Sequence, residues 1–390
     1  MVEHRPRLST LALLLLFWTF LPLVVIAPPA TGQAVVSTLQ LGPFASPQGG
    51  VYDSGKGEIF IPDWNNGTLA VISDRNNSEL STPISVGDRP VAAYDPAKGE
   101  IFAVNFNGTA SIISDSTGAV TALPLHFKNN VAGVAYDSGM GEFFVANENN
   151  LITVVSDATN QVVGAPFKAG NNIQAIAYDP AKGEIFLANY NDRNITVISD
   201  ATNPPSVVAN ATGGNFPLSL AYDSGKGEIF TANSGDDSVS VISDSTNPPS
   251  LVATVKVGTV PGGVAYDSGK GEIYVTNLDG NSVTVVSDAT SPPSVIATIP
   301  VGQVPRGAVY DPAKGLVYVS NGGSGSVSII SDSLPPQTAT TSSSTTHQNA
   351  PAAGVSAVSA YELIGVILSV FVVFIILVIR HPKLPGSRPR

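Results

Sequence analysis

The sequence predicts an all-β fold, a seven-bladed β-propeller of four-stranded blades, and three observations carry that expectation. Tyr-Asp recurs at Tyr52, Tyr94, Tyr136, Tyr178, Tyr222, Tyr266 and Tyr310, spaced by 42, 42, 42, 44, 44 and 44 residues, a fixed period that marks a repeat architecture. Each copy divides into four short apolar runs between turn residues, as in Val264 to Asp267, Glu272 to Asn277, Val283 to Asp288 and Val295 to Val301. Four strands in about 40–45 residues make a propeller blade. The last copy supplies only three runs, ending at Val327 to Asp332, while Ala34 to Gly42 (AVVSTLQLG) resembles the outer run Leu251 to Gly258 (LVATVKVG). The N-terminal strand is therefore expected to complete the seventh blade and close the ring, removing an exposed sheet edge.

Composition agrees with this reading. At 390 residues and 43% hydrophobic the chain can bury a sizeable core. Only 13% is charged, and 37 Gly with 30 Pro suit short strands joined by tight turns rather than long helices. No apolar stripe of 3.6-residue period is present.

Within a copy, the first strand carries small residues ahead of Tyr-Asp, as in Gly49-Gly50-Val51, Ala92-Ala93, Gly133-Val134-Ala135 and Gly262-Gly263-Val264. Strands converging on an axis leave little room for side chains. The turn that follows reads Asp-Ser-Gly-Lys-Gly-Glu at Asp53 to Glu58 and Asp-Pro-Ala-Lys-Gly from Asp95, Asp179 and Asp311. It reads as a tight turn with its Lys and Glu solvated; a phosphate-binding loop would need Gly-Lys-Ser/Thr opening a helix. The second strand is nearly continuously apolar, as in Ile185 to Ala188 and Ile273 to Thr276, so both of its faces must be covered, here by neighbouring blades. The third strand ends in Ser-Asp seven times, at Asp74, Asp115, Asp157, Asp200, Asp244, Asp288 and Asp332. Such an Asp is expected to bond the backbone two residues on rather than to hold a cation. The later, longer copies add Pro-Pro pairs at Pro204-Pro205, Pro248-Pro249 and Pro292-Pro293, which lengthen one loop and leave the strands intact.

The ends predict a membrane topology. Residues 1–34, with Arg5 and Arg7 before an apolar run, read as a signal peptide, with an uncleaved signal anchor as the alternative. The propeller spans 35–332, a Ser/Thr/Pro/Ala-rich stalk 333–360, a transmembrane helix 361–380 and a basic cytoplasmic tail 381–390. The basic flank places that tail inside and the propeller on the cell surface of a single-pass protein.

Tyr274-Val275-Thr276-Asn277 is the tetrapeptide of the YVTN-type β-propeller repeat family, and Tyr318-Val319-Ser320-Asn321 is a close variant. Over about Val35 to Asp332 the chain resembles the repeats of that family, found in archaeal surface-layer and other cell-envelope proteins. The resemblance implies the seven-bladed fold and an envelope setting; it implies no activity, because one fold hosts many functions.

Few residues point to chemistry. With no cysteine there is no disulfide, thiolate nucleophile or Cys-ligated metal. Clusters at Asp236-Asp237 and Asp279-Gly280-Asn281 do not match an EF-hand loop, so no metal and no cofactor is expected. Positions four before each Tyr are Gln48, Pro90, Ala132, Gln174, Leu218, Gly262 and Arg306, which offer the central channel no acid–base pair. His126 is expected on an outer strand, away from the axis. The chain is therefore read as no enzyme; an extracellular lactonase-like or quinone-cofactor propeller using the channel is the alternative. From residue 35 to 332 there are 28 Asp plus Glu against 13 Lys plus Arg, a net of −15 that repels nucleic acid. The position just past each second strand is Trp64, Phe106, Glu148, Tyr190, Ser234, Leu278 and Gly322. Trp64, Phe106 and Tyr190, with Arg89, Arg193 and Arg306 nearby, form a candidate binding face for envelope proteins or glycans, against the reading that these aromatics pack under their own loops. Sequons at Asn66, Asn76, Asn107, Asn194 and Asn210 are expected in loops or loop ends as glycosylation sites.

Overall fold

The computed structural model describes residues 32–333, except 81, 129 and 203. The expected stalk beyond Ser333, the transmembrane helix and cytoplasmic tail, and all but the last residues of the expected signal segment, lie outside the described residues. No helix among the described residues is long and apolar enough to cross a membrane.

Twenty-nine strands among the described residues form seven antiparallel sheets. Blade six shows the pattern: Pro261–Asp267, Glu272–Asn277, Ser282–Ser287 and Ser294–Pro300 pair in that order. The first strands of consecutive blades touch one another all the way round, the first against the seventh included. Small residues permit this approach. A Cβ on Gly263 would lie 2.7 Å from the Cα of Gly307, on the next inner strand.

Closure comes as the sequence predicts. Ala34–Gln40 pairs antiparallel with Ser326–Ser331 in the sheet that also holds Pro305–Asp311 and Leu316–Asn321. Ala34 is itself opposite Ser331, and Gln33 is buried, its side-chain amide donating to Glu272 at 2.8 Å. The expected signal boundary at residue 34 thus falls inside the folded ring. The first blade departs from the pattern: its outer edge breaks into Ser78–Glu79 and Ile84–Ser85, leaving Leu80 exposed between them.

The core lies between sheets. Seven apolar clusters occur, each shared by two consecutive blades. Alternate residues of each second strand serve opposite clusters, because successive strand side chains point to opposite faces. Phe60, Phe102, Phe144, Phe186, Phe230, Tyr274 and Tyr318 face the following blade and are fully or almost fully buried. Ile59, Ile101, Phe143, Ile185, Ile229, Ile273 and Val317 face the preceding one. Burying one such aromatic is worth roughly 1.5–3 kcal/mol, so a blade removed from the ring loses the covering of both its faces.

The turn after each first strand is a buried Asp turn. Asp267 Oδ1 accepts the N–H of Gly269 at 2.8 Å and of Lys270 at 3.2 Å, and equivalent bonds recur at Asp53, Asp95, Asp137, Asp223 and Asp311. Two details differ from expectation. The third-strand Asp makes no Asx turn; the preceding Ser does so, as when Ser287 Oγ accepts the N–H of Ala289 at 3.2 Å. The Asp instead folds back over its own blade's turn, its N–H donating to the glycine carbonyl there, as Asp288 does to Gly271 at 3.0 Å. Nor is the turn Lys free in solvent: Lys182, Lys226 and Lys270 reach the Asp of the next blade at 3.2, 3.6 and 3.5 Å.

Three sequons occupy exposed turn positions, Asn66, Asn76 and Asn107. Asn194 instead opens the strand Asn194–Ser199, and Asn210 lies within the strand Ser206–Thr212, where it accepts a hydrogen bond from Thr196 Oγ1 at 2.8 Å. His126 is exposed at the end of the outer strand Val120–His126.

Candidate functional site

The loops joining second to third strands, and those entering first strands, share one face of the ring by the antiparallel order of each sheet. They are stitched together blade by blade. The N–H just past the second strand donates to a carbonyl ahead of the first strand: Trp64 to Ser46 at 3.2 Å, Phe106 to Asp88 at 2.9 Å, Glu148 to Asn130 at 2.9 Å, Tyr190 to Asn172 at 3.0 Å and Leu278 to Val260 at 2.9 Å. To present those carbonyls the backbone turns left-handed just before the first strand, with φ of 45° at Arg89, 54° at Phe216, 52° at Val260 and 50° at Val304. Asparagine accepts that region readily, as at Asn130 and Asn172; a β-branched valine does so only under strain. Such strain persists where surrounding structure over-determines it, a common property of ligand-binding surfaces.

On this face the central channel opens into a cavity of about 300 Å³ lined by Trp64, Phe106, Glu148, Leu278 and Arg306 among others. Two series singled out by spacing meet here. Ala132, Gln174, Leu218, Gly262 and Arg306 come from the first strands, and Gln48 lies just ahead of one; Trp64, Phe106, Glu148 and Leu278 come from the loops after the second. Of the first series, Pro90 is absent from the lining and its neighbour Val91 takes the place. The series complement one another in size. Gly262 leaves room for Leu278, and Arg306 lies across Gly322, where a Cβ would meet its Cδ at 2.7 Å.

The six candidate face residues separate into two groups. Trp64, Phe106 and Arg306 line the cavity, and Arg89 stacks over the Phe106 ring at 4.5 Å. Trp64 is oriented by its indole N–H, which donates to the Pro90 carbonyl at 3.2 Å. Tyr190 and Arg193 lie outside the lining and converge on Phe216, Tyr190 stacked at 4.7 Å and the Arg193 guanidinium over the same ring at 4.8 Å. These aromatics are half-buried, Trp64 and Tyr190 against residues entering the next blade rather than under their own loops, with their remaining surface toward solvent. Phe216 escapes a sequence reading because nothing in Asn-Phe-Pro signals a left-handed Phe. Phe44, 88% exposed on the loop before the first blade, escapes it likewise.

Charge on the face is selective. Of the four arginines among the described residues, Arg89, Arg193 and Arg306 are here and exposed. Among the described residues the one carboxylate within reach of Arg89 is Asp88, at a long 3.8 Å. The cavity's single carboxylate, Glu148, accepts a hydrogen bond from Asn130 at 3.1 Å. The arrangement offers aromatic edges, the amides of Gln48 and Gln174 and three guanidinium groups.

In sequence, no protein-family model and no curated protein matches the chain. Solved structures do resemble it in fold. The β-propeller domain of Cps50 (Swd1) from Myceliophteria thermophila superposes with a TM-score of 0.62 at 9% identity, covering 77% of this chain and 99% of that one. Hydrazine synthase from Kuenenia stuttgartiensis does so with a TM-score of 0.62 at 14% identity, covering 73% of this chain and 95% of that one. Likeness at such identity shows the propeller fold alone.

Proposed function

We propose that the ring is a non-catalytic binding module, displayed at the cell surface, whose channel-mouth face grips an anionic glycan of the envelope. The observation that carries this reading is the collar of Trp64, Phe106, Arg89 and Arg306 around a cavity of about 300 Å³. Aromatic faces suit sugar rings, amides suit hydroxyls, and guanidinium groups pair with carboxylate or sulfate in a fork geometry. That three of four arginines sit on one face of an otherwise acidic ring favours an anionic ligand over a neutral one. The envelope-type repeat at Tyr274 to Asn277 supports the setting, and a stalk and membrane helix would hold the face outward.

Glu148, already engaged by Asn130, faces no second carboxylate or histidine among the lining residues, which supports a binding rather than a hydrolytic role. A screen of neutral and acidic glycans with the full-length chain tests the proposal. Acidic glycans should bind in a salt-dependent manner, and Trp64→Ala or Arg306→Ala should weaken that binding at least about tenfold, as loss of a hot-spot contact does. Retained binding in both variants, or turnover of a lactone or quinone-dependent substrate panel, would return the enzyme alternative to the front.

A further inference from the structure

The loop from the second blade to the third departs from the repeat at one position. In the other six such loops the residue two positions before the left-handed one is glycine, at Gly42, Gly87, Gly170, Gly214, Gly258 and Gly302; here it is Lys128, ahead of Asn130. A Cβ on any of the last five glycines would overlap the asparagine that ends the next blade's second strand, Asn105, Asn189, Asn233, Asn277 or Asn321. A side chain at this position therefore fits only where that asparagine gives way.

Asn147 does give way. In the sixth blade Asn277 Nδ2 donates to Ser282 and Thr284, both at 3.0 Å, and the other four asparagines likewise donate to side-chain oxygens of their third strands. The third blade has Leu151 in the place of Ser282, with no hydroxyl to receive the amide. Asn147 instead turns its Oδ1 to the Leu151 N–H at 3.0 Å. Its Nδ2 meets no acceptor among the described residues, although Asn147 is only 5% exposed. Thr153 takes the place of Thr284; Thr284 is buried, whereas Thr153 is half-buried and its hydroxyl has no partner among the described residues. A cavity of about 430 Å³ opens over these two groups, beside the outer strands Val120–His126 and Gln161–Lys168. Its walls are Phe127, Leu151, Val162 and Pro166, and His126 and Lys128 complete the lining, which contains no carboxylate. Lys168 pairs with Leu151 across the sheet and so stands on the same face, bringing a second ammonium group beside the cavity. Neither lysine is paired with a carboxylate among the described residues.

We infer that this cavity binds a small organic carboxylate with an apolar tail, its head on Asn147, Thr153 and Lys128 and its tail against Phe127, Leu151 and Val162. An amide N–H₂, a hydroxyl and an ammonium are all donors, and an ionised carboxylate is an acceptor alone, with two oxygens to divide among them. Binding gives the buried Asn147 Nδ2 the acceptor it otherwise lacks, which removes a desolvation cost. The walls are hydrocarbon and aromatic, so they match a short alkyl chain or a phenyl ring; a sugar or a free phosphate would leave them uncovered. The volume lies within the range of small-molecule sites, roughly 300–1,000 Å³. The inference is independent of the channel-mouth reading, because the two cavities share no lining residue.

The test is titration calorimetry of the full-length chain with phenylacetate and hexanoate, against their neutral amides. The acids should bind with Kd of about 10⁻⁵–10⁻³ M, as ligands of roughly ten non-hydrogen atoms do. Phenylacetamide and hexanamide should bind at least about tenfold more weakly, since they lose the charge-assisted bonds. Lys128→Gly restores the residue of the other six loops, so it should keep the thermal midpoint and lose at least about tenfold in affinity for both acids. Thr153→Val removes the hydroxyl at nearly constant volume and provides a second readout, with a loss of about tenfold. The inference is overturned if neither acid binds up to about 10 mM, if the amides bind as tightly as the acids, or if either variant keeps the wild-type affinity.

Discussion

A buried carboxylate tolerates its position only through what it accepts, and Asp267 shows the requirement directly. It is fully buried and takes two backbone N–H groups at the turn that starts the second strand. Asp267→Ala should lower unfolding free energy by roughly 2–4 kcal/mol, since two donors lose a charged acceptor. Asp267→Asn, which keeps one oxygen, should cost clearly less in the same denaturant titration. Asp200 makes the opposite prediction. Its folded-state pKa of about 6 lies above the unfolded value. Its contribution to stability is therefore full below about pH 4 and lost as pH rises through about 6. The groups facing it are Asp137, Glu142 and Tyr178. Met140 stands where the other six turns carry Lys, so acidification from about pH 7 to 5 should raise the wild-type midpoint more than that of Met140→Lys, whose ammonium would hold the Asp200 carboxyl ionised at both pH values. Equal slopes in the two proteins would remove Asp200 as the source.

At the scale of the element, the closing strand Ala34–Gln40 matters most, because it covers the edge of Ser326–Ser331 and supplies Val35 and Leu39 to the clusters on either side of the seventh blade. Deleting residues 35–41 should open the ring, broaden the thermal transition and cut secretion yield; an unchanged midpoint would contradict it. Upstream of that strand Gln33 is buried against Glu272. If the leader is removed, mass spectrometry of the mature protein should therefore find the new N-terminus at or before Gln33, not after Ala34. Cleavage after Ala34 would strip Glu272 of its amide partner and the strand of its first pair. The left-handed residues before the first strands form a second element-level device. Val260→Asn should be neutral or stabilising by up to about 1 kcal/mol, because strain is relieved while the Val260 carbonyl still receives Leu278.

Over the whole molecule, seven shared clusters mean that no blade is independent of its neighbours, and the ring is expected to unfold in one cooperative transition. Its electrostatics reinforce the local picture. Burial, the leading cause in each case, raises the carboxyl pKa at Glu58, Glu79, Asp115, Glu142, Glu184, Asp200, Glu228, Asp244, Glu272, Asp288 and Asp311. The folded ring thus takes up protons more readily than the unfolded chain. Stability should rise as pH falls through these raised values toward the unfolded-state carboxyl values of about 4, the reverse of acid denaturation driven by paired carboxylates. A midpoint that drops over that interval would show these groups to be better solvated than the fold implies.

What the amino-acid sequence determined by itself was everything tied to period: the number of blades, the order of strands, the borrowed strand that closes the seventh blade, and the two series of positions that meet at the channel mouth. Periodicity is a property of the chain, and Tyr-Asp at intervals of 42 to 44 residues needs no third dimension to be counted. Contacts between blades were another matter. That a turn Lys caps an Asp about 60 residues later, that Phe216 joins Tyr190 and Arg193, and that Met140 leaves two acids facing each other were decided only when the ring closed. The physical reason is that side chains meet across blade junctions through the radial arrangement of the sheets, and neither propensity nor spacing within one repeat carries that distance.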